Sequence, residues 1–407
     1  MSNISDRSLK LRRSVVLRVG LLACVVSSLS VLGRAQAGEL DPTFGHNGIF
    51  SNNFNNTSTA TAVAVQSDGK IIVGGSIGNL GAVVRLNTNG TLDDSFGVGG
   101  VVTIRFRDVQ NVTTGVAIQS DGKILAVGTG LPQGGQLVRL ETNGNLDASF
   151  GTNGGAFLGV TPGPLALQPD GKIVVVGFIA GTGPAMERFE STGTLDPSFG
   201  SIGTAPLLAS ANSVALQSDG KIVLSSSPVT RYKPNGSLDT TFGTRGQAVT
   251  LPNAFLAITL QSDGRLVTSG NIVNAVTLGA NSTGFGLGRY LSTGTVDLTF
   301  GSRGVVVTGF ANSPLTSANA LVIQPNGDIV AAGEAGTNVN NQAFALARYR
   351  NTGMLDTTFG TGGRVVTGFG NNTVASISAI TLQSEGKIVV VGGVSPGNLV
   401  VARYFGQ

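Results

Sequence analysis

The sequence runs to 407 residues with 61 glycines, 41% apolar residues and only 12% charged ones, which suits many short strands and turns and suits long helices badly. Its formal charge of +4 is concentrated at the start, where six of the 26 basic residues (Arg7, Lys10, Arg12, Arg13, Arg18, Arg34) stand with one acid, Asp6. From Gly38 onward 20 bases face 21 acids, so the body has no excess of positive charge for a phosphate-neutralising stripe, and a nucleic-acid binder is excluded.

In chain order the first element is an export signal: a basic start up to Arg18, the apolar stretch VGLLACVVSSLSVL from Val19, then Ala35-Gln36-Ala37 as a small-x-small cleavage site. This predicts a signal peptide over 1–37 and an exported domain over 38–407. The stretch is short for a membrane span, so no membrane insertion is expected after cleavage. Leu21-Leu22-Ala23-Cys24 matches a lipoprotein box only loosely, because Arg18 leaves almost no apolar run before it. Cys24 is the only cysteine, so the exported domain has neither a disulfide nor thiolate chemistry.

Seven copies of one unit follow. Leu-Asp-x-x-Phe-Gly recurs from Leu40, Leu92, Leu146, Leu195, Leu238, Val296 and Leu355, at spacings of 52, 54, 49, 43, 58 and 59. Between these stand QSDGK-like turns from Gln66, Gln119, Gln168, Gln217, Gln261, Gln324 and Gln383, and apolar runs ending at Arg85, Arg139, Arg188, Arg231, Arg289, Arg348 and Arg403. The units are 40–91, 92–145, 146–194, 195–237, 238–295, 296–354 and 355–407. Each holds four strand signals, exemplified by Val101-Val102-Thr103, Ala62 to Gln66, Lys70 to Val73 and Ala82 to Leu86, bounded by Gly, Asn, Asp or Ser. Asp68-Gly69 supplies the positive φ of a tight hairpin, and Asn89-Gly90 turns the last strand toward the next copy. ILAVG from Ile124 and IVVVG from Ile173 are apolar at consecutive positions, so both sheet faces must be covered. Four-stranded antiparallel sheets, one per repeat, describe an all-β, seven-bladed β-propeller; a β-solenoid is the alternative, but its coils are usually shorter.

The series LDxxFG, QxDGKIvvxG and RyxxxGxLD resembles the delta-60 repeat family of bacterial exported and surface proteins, a group regarded as β-propellers of unknown function. The resemblance covers residues 40 to 405. More distantly, the DGKIvV pattern is similar to the inner strands of NHL-type propellers. Copies depart from it where Asn326 and Asp328 replace Asp and Lys, where Val296 replaces Leu, and in the 43-residue fourth unit. With AVAVQ innermost, as the resemblance implies, the strand near Gly48-Ile49-Phe50 is expected to complete the last blade beside Val400 to Tyr404. That closure removes two exposed edges.

In such a meander alternate connections share a rim. The QSDGK and NGxLDxxFG turns fall on one rim and barely vary. The opposite rim receives SNNFNNTST from Ser51, RFRDVQNVTT from Arg105, NIVNAVTLGANSTGFGLG from Asn271 and EAGTNVNNQ from Glu334, against only SSSPV from Ser225. Variable loops on a constant scaffold are where recognition concentrates, which makes Arg105, Arg107, Asp108, Asn111, Asn281 and Glu334 the candidate ligand contacts. Tolerated insertion is the competing account.

The repeated charges read as architecture: each LDxxFG Asp is expected to accept hydrogen bonds from backbone N–H groups and from the repeat Arg. A calcium loop over Asn87, Asn89 and Asp93 is the functional alternative, weakened by Lys233, Leu291 and Arg350 in other copies. His46, the single histidine, suits a turn. Glu187 and Glu190, flanking Arg188, read as a solvated strand edge. With no thiol in the body, no Walker motif and no tryptophan, no catalytic, metal or cofactor site is expected. The resulting expectation is a monomeric, non-enzymatic, secreted, periplasmic or cell-surface binding scaffold whose partner is an extracellular protein or glycan. A glycan-binding propeller is the alternative, and a hydrolase or lyase with a carboxylate pair in the channel is the third reading.

Overall fold

The turn residues place the strands. In the computed structural model, which describes residues 36–106, 111–130, 134–251, 256–273 and 283–407, Gly69 has φ +84° at the first QSDGK turn and Gly90 has φ +82° at the first NG turn. Between and beyond these turns Ser58–Val65, Ile71–Ile77, Leu80–Leu86 and Val101–Ile104 pair in that order as an antiparallel sheet. The same arrangement recurs around the chain, giving blades 1 to 7. The inner strands, Ser58–Val65, Asn111–Ile118, Thr161–Leu167, Val214–Leu216, Ala257–Leu260, Leu315–Ile323 and Ala375–Leu382, touch one another in sequence, and the last returns to the first.

Blade 7 closes as expected: Ile49–Asn52 lies antiparallel to Asn398–Tyr404, pairing Ile49 with Ala402 and Asn52 with Leu399. Blade 4 is shorter than expected. Its sheet has three strands of three residues each, and a single bridge from Thr230 to Gln247 stands where the fourth would run.

Apolar residues fill the spaces between blades in seven clusters, one per interface. Ile71, Ile72 and Val73 are consecutive and wholly buried because each face of their sheet meets a neighbour. The inner strands of blades 1, 2, 3, 6 and 7 carry an irregularity in register near their start, as between Ala60 and Ala62. The displaced residue reaches across to the next blade: Thr61 Oγ1 donates to Thr113 O, Thr114 Oγ1 to Gly163 O at 3.2 Å, and Asn319 Nδ2 to Ile377 O at 3.0 Å. A bulge is the local device that re-aims such a side chain.

Candidate functional site

The constant rim is a closed circuit of charge. Arg85, Arg139, Arg188, Arg231, Arg289 and Arg348 each donate Nε to the LDxxFG aspartate eight residues on, at 2.7–2.9 Å, and Arg403 reaches Asp41 with Nη2 at 2.9 Å. The hydroxyl two residues after each aspartate donates to its Oδ1 at 2.6–2.8 Å, and the backbone N–H of that residue does the same. Each guanidinium also lies 4.5–4.8 Å from the centroid of an LDxxFG phenylalanine, close enough for a cation–π contact. Its remaining Nη1 donates to a backbone carbonyl of the next blade, from Arg85 to Thr142 through to Arg403 to Thr88. Seven arginines thus stitch seven interfaces.

The lysine after the Asp-Gly turn supplies a second cation in three copies, with Lys70, Lys123 and Lys172 at 2.6–2.8 Å from Asp93, Asp147 and Asp196. Lys387 serves Asp41 at 3.0 Å, and Arg265 serves Asp297 at 3.1 Å. Where Asp328 occupies the lysine position, Arg350 pairs with Asp356 instead at 2.7 Å. That exchange is present in the sequence as an arginine six residues before the motif aspartate, Arg350, which the sequence reading set only against the calcium alternative. Asp93 is therefore committed to Arg85, Lys70 and Ser95, while Asn89 Oδ1 accepts from Thr91, so two of the three side chains of the calcium alternative already have protein partners.

Burial by itself would raise the pKa of Asp41, but hydrogen bonds from Thr43 and Lys387 and the charge of Arg403 outweigh it and hold the group at about 2. The other six motif aspartates are also depressed, Asp147 chiefly by Lys123 and the rest by hydrogen bonds and arginine charge that overcome burial. A depressed carboxylate stabilises the fold fully above its unfolded pKa, near 3.8, and loses that contribution as pH falls through its folded value. Circular dichroism is expected to show a steep acid transition beginning below pH about 4, since several aspartates take up protons together; a flat signal down to pH about 2 would contradict this account.

Glu187 corrects the sequence reading. It is not on a solvated edge but is 5% exposed, with Oε1 and Oε2 each 3.1 Å from Gly159 N in the link that enters blade 3, and burial raises its pKa. Glu190 instead pairs with Lys172 at 2.6 Å. His46 is exposed in a turn, with its backbone N–H bonded to Ile49 O. Among the described residues no three His, Cys, Asp or Glu side chains converge as a metal site.

Of the rim-loop candidates, Arg107, Asp108 and Asn281 lie outside the described residues. Arg105 is exposed just beyond the outer strand of blade 1. Asn111 begins the inner strand of blade 2, is buried, and donates Nδ2 to Asn79 O at 3.0 Å. Glu334 is also a strand residue, within Ile329–Asn338. These strands extend further toward the variable rim than their apolar runs, because polar residues continue the ladder, Asn111 pairing with Gly130 and Glu334 with Ser317. Glu334 Oε2 accepts from Asn319 Nδ2 at 2.5 Å and from Ser376 Oγ at 2.6 Å, and Ser317 Oγ bonds Asn319 Oδ1 at 2.8 Å. Burial raises the Glu334 pKa against those two hydrogen bonds. A raised carboxylate destabilises the fold as pH climbs from the unfolded value of 4.5 through the folded one. Glu334→Gln is expected to match the parent in acid and to melt higher than it above that window; a constant difference at every pH would assign the effect to packing alone.

The variable rim differs blade by blade. The sixth residue of the second strand is Ser76, Thr129, Phe178, Asn271, Glu334 and Gly393 in blades 1, 2, 3, 5, 6 and 7, with no repetition. Phe178, Val273 and Val339 are 47%, 61% and 67% exposed there. The constant rim has features the sequence reading missed: polar clefts between neighbouring QSDGK turns. The one between blades 2 and 3, of about 650 Å³, is lined by Gln119, Asp121, Arg139, Gln168 and Asp170. Gln168 Oε1 is buried without a protein donor. A cleft of about 540 Å³ with Asp170 and Lys172 follows between blades 3 and 4.

Six segments match the family model of a β-propeller domain of unknown function, DUF5122: residues 66–96, 119–150, 168–199, 217–242, 261–300 and 324–359. These segments are similar to the β-propeller repeats of that unknown-function family. Each matched segment runs from the turn glutamine to the LDxxFG phenylalanine and so contains one complete Arg–Asp–Phe assembly. The seventh is divided between Gln383 onward and Leu40 to Phe44, at opposite ends of the sequence. No curated protein sequence matches. Among solved structures, the chain resembles virginiamycin B lyase from Staphylococcus aureus at 13% identity and TM-score 0.57, over 87% of this chain and 98% of that one. It also resembles the BP39L lectin from Burkholderia pseudomallei at 13% identity and TM-score 0.52, over 87% and 97%. YCF48, solved with a D1 peptide, matches at 13% identity and TM-score 0.51 over 91% and 98%. At such identities these likenesses concern the fold alone.

Proposed function

We propose that this chain is an exported, non-catalytic propeller of the delta-60 type that presents its variable rim to a protein partner outside the cytoplasm. The observation that carries the reading is the contrast between rims. One commits the same Arg, Asp and Phe to architecture seven times, whereas equivalent positions on the other bear six different residues, with Phe178, Val273 and Val339 held in solvent. Apolar side chains on a rigid, individual surface are the anchors a protein interface uses. Photo-crosslinking residues placed at Phe178 and Val339 are expected to capture one partner in the envelope of the native host. For that purified partner, Phe178→Ala with Val339→Asp is expected to weaken binding by about tenfold or more, while Asp68→Asn on the constant rim leaves it unchanged. Capture only from the constant rim contradicts the proposal.

The constant-rim clefts favour a second reading, a glycan-binding propeller. Paired amides and carboxylates such as Gln119, Asp121, Gln168 and Asp170 suit a polyhydroxylated ligand, and clefts recur between successive blades. Saturable binding on a glycan array, abolished by Gln168→Ala with Asp170→Ala and indifferent to the Phe178 and Val339 changes, selects this reading over the first.

A further inference from the structure

The two ends of the folded domain build one turn between them. In blade 1 the turn after the third strand runs Arg85-Leu86-Asn87-Thr88-Asn89-Gly90-Thr91-Leu92-Asp93, with Asn87 N bonded to Thr91 O and Gly90 N to Asn87 O. In blade 7 the same bonds join the termini: Phe405 N donates to Glu39 O at 2.9 Å, and Gly38 N donates to Phe405 O at 2.7 Å. Arg403-Tyr404-Phe405-Gly406 therefore continues, in space, into Ala37-Gly38-Glu39-Leu40-Asp41, reproducing the eight-residue step from Arg to Asp. Gly38 has φ +90°, as the glycines of the other NG turns have values near +85°. Ala37 occupies the place of Asn89: its carbonyl accepts from Gly360 N at 2.8 Å, as Asn89 O accepts from Gly45 N at 2.7 Å. Ala37 is also packed in the apolar cluster between blades 6 and 7.

This bears on where the export signal ends, and the inference rests on the export reading above. Cleavage after Ala37 would remove the acceptor of Gly360 N and leave the new ammonium on Gly38, a buried residue whose N–H faces one carbonyl. An orphaned buried donor and a charge placed on a buried residue are both costly. Two residues upstream, Gly33-Arg34-Ala35 is a second small-x-small site. Gln36 is exposed, its backbone N lies 3.0 Å from Glu39 Oε2, and its Nε2 donates to Gly360 O at 3.1 Å. We infer that the signal peptide is removed between Ala35 and Gln36, and that the Gln36 ammonium released there pairs with the Glu39 carboxylate to complete the seventh turn. Water adds across the Ala35–Gln36 amide, leaving a carboxylate on Ala35 and the ammonium on Gln36.

The test is the intact mass and N-terminal peptide of the chain isolated from outside the cytoplasm of its host, together with the melting temperatures of purified chains beginning at Gln36 and at Gly38. The expected first residue is Gln36, and the Gly38 chain is expected to melt roughly 2–6 °C lower. A native terminus at Gly38, or equal melting temperatures, overturns the inference while leaving export intact. A chain that stays in the cytoplasm with Met1 in place overturns the export reading and this inference together.

Discussion

Replacing Arg188 by alanine is expected to destabilise the propeller by about 3–5 kcal/mol, the usual cost of removing one partner of a buried ion pair. The side chain is 8% exposed and does four things at once: it pairs with Asp196 at 2.7 Å, donates to Ser198 Oγ at 3.3 Å, lies 4.5 Å from the Phe199 ring centroid, and donates to Pro234 O in the next blade. Arg188→Lys should recover less than half of the loss, because an ammonium cannot offer the planar fork that reaches carboxylate and carbonyl together. Lys172→Ala provides the scale. Lys172 meets the same Asp196 at 2.8 Å but is 24% exposed, so its loss is expected to cost about 1 kcal/mol or less. Urea midpoints for the three variants decide the point. Equal losses for Arg188→Ala and Lys172→Ala would mean that the Asp196 charge, rather than the inter-blade bridge, is what the rim requires.

The same residue shows how far local pattern reaches. Blade number, closure and, outside blade 4, strand number were legible because each depends on short-range features: glycine at a positive-φ turn, consecutive apolar residues between two covered faces, and a spare strand at the start matching a missing one at the end. The Asp acceptor role was legible too, since Asp196 bonds Ser198 two residues on. What Arg188 does beyond that was not, because Pro234 is 46 residues away and no periodicity reports which carbonyl a guanidinium faces. Glu187 failed for the related reason that its donor, Gly159 N, is 28 residues away in the link that enters blade 3. Glu334 and Asn111 were placed in loops because both are polar residues outside the apolar runs, although both pair within the ladder. The surface proposed for recognition was legible only as variability. Length and composition mark a rim as free to change, but the exposure of Phe178 emerges only when its strand partner Thr161 and the end of the blade are located.

A chain beginning at Asn53 is expected to lose its cooperative, monomeric fold. The missing segment carries the outer strand Ile49–Asn52, the wholly buried Phe44, and Asp41, the carboxylate shared by Arg403 and Lys387. Loss of a buried phenylalanine side chain alone costs about 3–5 kcal/mol, and stranding Arg403 in a site where it is 4% exposed adds a comparable amount. Together these approach the 5–15 kcal/mol by which whole domains are stable, so about half or more of the chains should be unfolded or associated at room temperature. Association is the more informative outcome. Without Ile49–Asn52 the strand Asn398–Tyr404 has a free edge, and unpaired strand edges recruit other chains. A synthetic peptide spanning 36–52 supplied in trans should therefore restore a monomer, because it returns the strand, the ring under Arg403 and the carboxylate in one piece. Light scattering with and without the peptide reads the result directly. A truncated chain that remains monomeric and melts within a few degrees of the parent would mean that the six other blades hold the ring unaided, and that the N-terminal strand seals an edge without contributing to stability.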